Sequence, residues 1–163
     1  MHLHEDVVTR ATPERVWELI ADPANHGRWN PHVVGTEQIS GGAPAFGSRY
    51  RVTYELSGRR AEFDAVVVEF SPLTRWAARL EERSKGDGRN FGRYMTETYT
   101  VTPRGGLLHV AHDVEIALAG VPLWLRALVW MIQKLGRPTT PTIMQRFGEL
   151  AEGASPPKES TAA

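Results

Sequence analysis

Hydrophobic and polar residues follow two different periods along this 163-residue chain. Beyond residue 34, apolar residues alternate with polar ones in runs separated by turn-forming pairs such as Gly41-Gly42 and Gly105-Gly106. Alternation of this kind is typical of antiparallel strands with one buried face. From Pro122 onwards, the apolar residues recur at helical spacing instead. The pattern therefore predicts an antiparallel meander that is followed by a helix.

The turn pairs also predict which strand residues lie opposite each other. A hairpin centred on Ser57-Gly58 collects the apolar side chains of two strands on one face. A turn at Pro72-Leu73 extends that face and places Glu69 beside Trp76. The other predicted pairs on this face are Tyr54 with Ala61, Val52 with Phe63, Tyr50 with Ala65, Val67 with Ala78 and Ala65 with Leu80.

The last predicted hairpin contains two polar residues on its apolar face. A turn around Gly105-Gly106 pairs Tyr99 with His112 and Glu97 with Val114, and the opposite face is rich in threonine and charged residues. Glu97 and His112 are therefore expected to point inward among apolar side chains. A register shift of one residue would reverse this prediction.

Two short helices are predicted near the N-terminus, between the first strand and the second. The first begins at Pro13 with Thr12 as its cap, since proline needs no hydrogen-bond donor at the first helical position. Asp22-Pro23 repeats this arrangement for the second helix. The sequence Trp29-Asn30-Pro31 ends it, because the residue before a proline is disfavoured in helical conformation.

The C-terminal part is predicted to form a long helix that is kinked. Residues 121–135 are apolar nearly all round, and about 15 residues are too few for the roughly 20 that cross a bilayer. Gly136 and Pro138 interrupt this helix, and Thr140-Pro141 is predicted to cap its continuation to Glu152. Residues 153–163 are small and polar, and are predicted to be a disordered tail.

The N-terminal residues resemble the opening of a known superfamily. Val16-Trp17, Asp22-Pro23 and Trp29-Asn30-Pro31 are similar to the first motifs of START-like (SRPBCC, helix-grip) proteins of the polyketide cyclase/dehydrase type. This resemblance implies an α+β helix-grip fold, in which a curved antiparallel sheet of about seven strands wraps around a long C-terminal helix. It also implies a single ligand-binding domain over residues 1–152 with an internal cavity.

Composition excludes several other classes of protein. Nineteen basic and nineteen acidic residues cancel, so no overall charge favours nucleic acid, and the chain has no cysteine for disulfides or thiolate metal sites. His2-X-His4 has no third ligand nearby and is interpreted as a solvated strand end. We therefore predict no cofactor, no metal and no transmembrane segment. The absence of a signal-peptide pattern at the first residues predicts a cytoplasmic protein.

Small inward residues such as Ala61, Ala65 and Ala78 alternate with large aromatic ones, which favours a gap between sheet and helix. Ligand cavities are typically about 300 to 1,000 Å³ and mostly apolar, with a few polar groups that orient the ligand. A solid core is the alternative interpretation. The predicted ligand-binding residues are Tyr50, Tyr54, Phe63, Trp76, Leu80, Phe91, Arg93, Met95, Val110, Val114 and Leu128.

Glu97, His112 and Tyr99 are the candidate catalytic residues. Burial without a partner can raise a carboxyl pKa by up to about 3 to 5 units, so Glu97 could exchange a proton with a bound carbonyl or enol. His112 lies one diagonal step away, and the Tyr99 hydroxyl could orient a ligand oxygen. The structural alternative is that Glu97 forms a bridge with Arg93 or His112.

Three functions remain open from the sequence. The first is binding of a hydrophobic small molecule, polyketide-like or lipid-like, in the internal cavity. The second is a polyketide cyclase/dehydratase-type enzyme that uses Glu97 and His112 as acid and base in the same cavity. The third is a protein-interaction module, in which the apolar helix 121–135 forms a homodimer or binds a carrier protein.

Overall fold

The computed structural model describes residues 2–56, 58–83, 94–117 and 141–153. Seven strands form one antiparallel sheet in the order β1-β7-β6-β5-β4-β3-β2, so the first strand pairs with the last. The predicted α+β fold with about seven strands is confirmed. The strands are β1 His2–Thr9, β2 Val33–Gln38, β3 Arg49–Leu56, β4 Arg59–Ser71, β5 Arg75–Glu82, β6 Tyr94–Arg104 and β7 Leu107–Ala117; the helices are α1 Pro13–Ala21, a 3₁₀ helix Pro23–Arg28 and α2 Ile143–Ala151.

The hairpin register follows the turn pairs closely. The β3–β4 hairpin sets Tyr54 opposite Ala61, and the β6–β7 hairpin sets Tyr99 opposite His112 and Glu97 opposite Val114, as predicted. One face of these strands is buried and the other is exposed or half-buried. The inner face of both hairpins was therefore predicted correctly.

The β4–β5 hairpin departs from the prediction at one place. A bulge between Val67 and Glu69 adds a residue to β4, so that Phe70 lies opposite Trp76. The prediction that Glu69 lies beside Trp76 is wrong, because a bulge places two consecutive residues on the same side and shifts the alternation beyond it. The Glu69 carboxylate instead accepts a hydrogen bond from Arg75 Nε at 2.8 Å on the outer face.

The two N-terminal helices begin at the predicted caps. The Thr12 side chain accepts from the amide of Arg15 at 3.3 Å, and the Asp22 carboxylate accepts from the amide of Ala24 at 3.0 Å. Four consecutive donors at a helix start lack partners within the helix, and these side chains satisfy one of them in each case. Helix α1 buries Val16, Leu19, Ile20 and Ala21.

Helix α2 begins later than predicted. Its cap is Thr142, which forms a capping box with Gln145, so the prediction that Thr140 caps the helix is wrong. Reciprocal bonds between cap and third residue satisfy two free amides, and Gln145 is correctly spaced only from Thr142. The helix ends at Ala151, close to the expected Glu152.

Helix α2 packs directly against β1 and is held at both of its ends. The Glu5 carboxylate accepts from the Met144 amide at 3.3 Å, and the Glu152 carboxylate accepts from Thr9 Oγ1 and the Arg10 amide at 3.0 and 2.7 Å. In the middle, Gly148 lies so near Val7 that an added Cβ would be 2.8 Å from Val7 Cγ2. These contacts hold the C-terminal helix over the edge of the inner face.

Several predicted features lie outside the described residues. These are the apolar helix 121–135, the ligand-binding candidates Phe91, Arg93 and Leu128, and residues 154–163 of the predicted tail. Among the described residues, no helix is long and apolar enough to cross a membrane.

Candidate functional site

The inner face of β6 and β7 carries the three candidate catalytic residues. Glu97, Tyr99 and His112 are exposed by 5%, 1% and 6% of their surface, so all three lie within the interior, as the alternation predicted. Glu97 is flanked across the neighbouring strands by Ala78 and Val114. A small residue on one side leaves more room beside the Glu97 carboxyl than a large one would.

The Glu97 carboxylate has a partner that the sequence did not suggest. The Tyr54 hydroxyl donates a hydrogen bond to Glu97 Oε1 at 2.7 Å. The structural interpretation of the sequence had suggested Arg93 or His112 as the partner of Glu97 instead. Tyr54 is on β3, three strands from β6, a separation of about 14 Å in a flat sheet. Curvature of the sheet therefore brings the two side chains together.

Burial makes Glu97 a weaker acid than usual. Loss of solvent raises the pKa of the Glu97 carboxyl, and the hydrogen bond from Tyr54 opposes part of this rise. Burial, followed by the nearby Glu97 carboxylate, holds the pKa of Tyr54 well above its ordinary value. The Tyr54 hydroxyl is thus a fixed donor, and Glu97 is the group of the pair that can change its protonation.

His112 is shifted in the opposite direction. Burial lowers its pKa to about 4, with a smaller contribution from the nearby His26. Its ring stacks on Tyr99 with parallel planes and centroids 4.3 Å apart. His112 is therefore neutral at neutral pH and can serve as a proton acceptor or as a neutral hydrogen-bonding group.

His26, which no sequence pattern singled out, is a second buried imidazole of this interior. Its Nε2 donates to the Ile20 carbonyl at 2.9 Å, and burial lowers its pKa to about 4. Its ring centroid lies 5.4 Å from that of Trp76 and 5.8 Å from that of Tyr99. The only local signal was its position in the short 3₁₀ helix, which does not reveal where the ring points.

The rings of Trp29, Trp76 and His112 lie against Tyr99, and we call these four residues the Tyr99 cluster. The Tyr99 centroid is 5.8 Å from both Trp29 and Trp76. Each member has a buried polar atom that finds no hydrogen-bond partner in the part of the chain that the structure describes. These atoms are Trp29 Nε1, Trp76 Nε1, Tyr99 Oη and His112 Nε2.

The predicted ligand-binding residues that the structure describes share the inner face. Tyr50, Tyr54, Trp76, Leu80 and Val110 are buried, and Phe63, Met95 and Val114 are half-buried. Their position on one face agrees with the predicted alternation, while ligand contact by these side chains stays a prediction. Trp29 and His26 join them from outside the sheet, because the segment after α1 folds over the inner face.

Polar residues on the outer face of the sheet form exposed contacts with each other. His2 Nε2 and His4 Nδ1 both contact Asp113 Oδ1, at 3.1 and 2.7 Å, in an exposed position. No group of three or more His, Cys, Asp or Glu residues suited to a metal occurs within the described ranges. A groove of about 430 Å³ also lies on this face, bordered by polar residues such as Arg75 and Glu115, and it is separate from the Tyr99 cluster.

Comparison with known proteins gives a family match in sequence and several matches in fold. Residues 1–138 match the family model described as polyketide cyclase/dehydrase and lipid transport. No curated protein matches the chain in sequence. Among solved structures, the protein TTHA0849 from Thermus thermophilus is 18% identical with a TM-score of 0.64, and the alignment covers 93% of this chain and 97% of that one.

Two other solved structures are similar at comparable levels. Ara h 8.0201 is 12% identical with a TM-score of 0.61, covering 93% of this chain and 97% of its own. The di-domain ARO/CYC BexL from the BE-7585A biosynthetic pathway is 18% identical with a TM-score of 0.62, covering 91% of this chain and 45% of its own. At these identities, the similarity shows a common fold.

Proposed function

Because this chain belongs to the polyketide cyclase/dehydrase and lipid transport family, we propose that it binds a hydrophobic small molecule, polyketide-like or lipid-like, against the inner face of its sheet. The observation that carries the proposal is the set of unpartnered polar atoms of the Tyr99 cluster, on a face whose other buried residues are mostly apolar. Buried polar groups without partners are costly, and a bound molecule with oxygen atoms would remove that cost.

We propose that the ligand lies beside Glu97 on the inner face. Ala78 lies directly opposite Glu97 on β5, and Ala65 lies opposite Leu80 on the same face. These small side chains alternate with Tyr50, Tyr54 and Trp76, which gives an apolar wall with a recess. The ligand therefore sits between the aromatic residues and within reach of the Glu97 carboxyl.

Native mass spectrometry of freshly purified protein tests this proposal. We expect the protein to carry one small molecule, and we expect Ala78→Leu to lose it because the added methyl groups fill the recess. Ala111→Leu is the matched control, since Ala111 is half-buried on the outer face of β7. A protein that has the mass of the chain alone, and takes up neither added ketones nor fatty acids, would contradict the proposal.

A second function, a cyclase or dehydratase acting in the same place, is favoured by the opposite pKa shifts of Glu97 and His112. A carboxyl with a raised pKa and an imidazole with a lowered pKa would supply an acid and a base in one apolar interior. Tyr99 would then orient a ligand carbonyl. The similar fold of BexL, an ARO/CYC protein of a biosynthetic pathway, agrees with this candidate.

Glu97→Gln separates the two functions. The amide can still accept from Tyr54, so the fold and the apolar wall are retained. A carrier should bind its ligand nearly as well as the wild type, whereas an acid/base enzyme should lose about 10² to 10⁴ in rate. Equal turnover by wild type and variant would exclude the enzymatic role of Glu97.

The remaining expectations of the sequence analysis stay proposals. These are the single domain over residues 1–152, the cytoplasmic location, and the homodimer or carrier-protein contact through helix 121–135. Light scattering over a concentration series addresses the last of these.

A further inference from the structure

The β2–β3, β4–β5 and β6–β7 turns lie at one end of the sheet. Strands that are neighbours in the sheet run antiparallel, so alternate connections fall at the same end. We call residues 39–49, 71–74 and 104–107 the turn surface. Successive turns are two strands apart, about 10 Å in a flat sheet, and because all three end at the same rim, a flat partner can touch them together.

Each of the three turns exposes a large apolar side chain. Phe46 is 72% exposed, more than any other large hydrophobic residue in the described ranges, and Leu73 and Leu107 are exposed in the other two turns. Ile39 is also exposed, at the start of the first turn. Single exposed apolar residues are ordinary, but several that project from neighbouring turns mark an interaction surface.

A hydrogen-bonded turn fixes the backbone at Phe46. The Ser48 amide donates to the Ala45 carbonyl at 3.1 Å, and the Ser48 hydroxyl accepts from the Ala45 amide at 2.9 Å. Gly47 follows Phe46 with a φ of 81°, the left-handed conformation that a type II turn requires at its third residue. The backbone that presents the Phe46 ring is therefore ordered before any partner binds, which lowers the entropy cost of burying that ring.

Leu73 is exposed at a position that favours glycine. Its φ is 63°, and no other described residue apart from glycine has a positive φ. The turn is closed by the Thr74 amide, which donates to the Ser71 carbonyl at 3.1 Å. A side chain in this left-handed conformation strains the backbone, whereas glycine would not. Strain that is retained at an exposed apolar side chain points to a function for that side chain.

The turn surface carries positive charge. Its three segments contain no Asp or Glu, and they include Arg49 and Arg104. Both arginines are exposed and form no ion pair within the described ranges, whereas Arg60 on the outer face contacts a carboxylate at 2.6 Å. Helix α1 also begins at this end, where the exposed Glu14 is offset by Arg10. Arginines without internal partners favour a partner with negative charge.

We infer that the turn surface docks on an anionic lipid membrane, with the apolar side chains of the three turns in the headgroup region and the two arginines on lipid phosphates. Peripheral binding combines these two elements, apolar area buried at the headgroup level and attraction of cations to anionic lipids. The contact points spread over about 20 Å of one rim with positive charge among them, which fits a planar anionic surface. This docking goes beyond the proposed function and does not depend on it.

Sedimentation with sucrose-loaded vesicles tests the inference. Phosphatidylcholine vesicles are compared with vesicles that also contain about 30% phosphatidylglycerol, and a lipid series gives a partition coefficient. We expect the wild type to prefer the anionic vesicles. Phe46→Ser should lower the partition coefficient about 10-fold, because one apolar side chain is no longer buried. Tyr94→Ser is the matched control and should bind like the wild type, since Tyr94 is exposed at the opposite end of the sheet.

The positive charge is tested by a pair of double variants. Arg49→Gln with Arg104→Gln should weaken binding to anionic vesicles about 5-fold for each arginine, since a cation contributes only when it lies near the membrane surface. Arg60→Gln with Arg83→Gln removes the same net charge from the opposite end, and we expect it to change binding by less than about 2-fold because salt screens distant charges.

Leu73→Gly separates loss of binding from loss of fold. Glycine removes the strain at a φ of 63°, so the variant should unfold at a urea concentration no lower than the wild type. Its partition coefficient on anionic vesicles should nevertheless fall about 5-fold. A purely structural role for Leu73 predicts the reverse, a less stable protein with unchanged membrane binding.

Ala78→Leu keeps this test apart from the proposed function. The substitution lies on the inner face, so the variant should sediment like the wild type although it binds no small molecule. Loss of sedimentation in Ala78→Leu would mean uptake of single lipids instead of docking, and would overturn the inference. Equal partition of the wild type, Phe46→Ser and the Arg49/Arg104 variant would overturn it as well. Failure of the wild type to sediment with either vesicle would overturn it in favour of a protein partner and leave the proposed function intact.

Discussion

The two faces of the sheet use polar residues in opposite ways. On the outer face, Arg60 pairs with Glu55 at 2.6 Å and Arg75 pairs with Glu69 at 2.8 Å, both in contact with solvent. On the inner face, the Tyr99 cluster keeps four polar atoms without partners among the described residues. Exposed ion pairs contribute about 0 to 1 kcal/mol each, whereas an unpartnered buried group costs about 1 to 3 kcal/mol.

The two faces of the sheet therefore differ in how their polar groups find hydrogen-bond partners. Most polar groups on the outer face pair with each other in exposed positions, so most of them can be changed at little cost. The inner polar groups lower the stability of the protein as it stands, and under the proposed function a bound ligand supplies their partners. Strained or unsatisfied groups of this kind are expected at binding sites.

The largest expected contrast is between two adjacent residues of β5 that point to opposite faces. Trp76→Ala removes a side chain that is 1% exposed, and we expect the free energy of unfolding to fall by about 3 to 5 kcal/mol. Arg75→Ala, which breaks an exposed ion pair, should cost less than about 1 kcal/mol. Urea denaturation followed by circular dichroism measures both. Similar losses in the two variants would mean that the two faces do not differ in this way.

A second contrast concerns pH. In the unfolded chain an imidazole binds a proton below about pH 6.5, whereas the folded His26 and His112 do so only near pH 4. The unfolded state therefore binds more protons between these values, and stability falls as the pH decreases through this window. Each imidazole contributes on the order of 3 kcal/mol to this loss. Glu97 opposes it, because a carboxyl with a raised pKa stabilises the fold most at low pH and loses that contribution as the pH rises above about 4.5.

Variants on the two faces should change this pH dependence in opposite directions. His112→Gln removes one buried imidazole, so unfolding measured from pH 4.5 to 7.5 should show a smaller loss on acidification than in the wild type. Asp113 raises the pKa of the exposed His4, so the contribution of His4 is complete below about pH 6.5 and lost above it. His4→Gln should therefore lower the free energy of unfolding slightly more at pH 4.5 than at pH 7.5. The same slope in both variants would contradict the assignment of His112 to the interior.

The smallest expected effect tests how closely α2 covers the inner face. Gly148→Ala gains about 1 kcal/mol of helix propensity, but its Cβ would lie 2.8 Å from Val7 Cγ2, and overpacking costs about 1 to 3 kcal/mol. We expect a net loss of about 1 kcal/mol by urea denaturation. The same change in a Val7→Ala background should be neutral or stabilising, because the clash is removed.

Gly35→Ala is the control for this last experiment. An added Cβ there meets Thr53 at 3.6 Å, an ordinary contact, so little change is expected. A stabilised Gly148→Ala in the wild-type background would show that α2 is free to move away from β1.

Local sequence patterns were enough to predict the order of the strands along the chain, the positions of the hairpin turns and the face on which Glu97 and His112 lie. Side chains alternate between the two faces with a period of two residues, and turn pairs set the register, so both can be read locally. The errors were also local. The bulge after Val67 reversed the alternation at Glu69, and the cap of α2 lay at Thr142 instead of Thr140.

The folded structure was needed to establish which inward residues meet. The bond between Tyr54 and Glu97 spans three strands, and its length depends on sheet curvature, which accumulates over many residues. The approach of His26 to Tyr99 depends on how the 3₁₀ helix folds over the sheet. A periodic pattern sets the direction of a side chain from its own strand, but distances between strands that are not neighbours depend on the whole sheet at once.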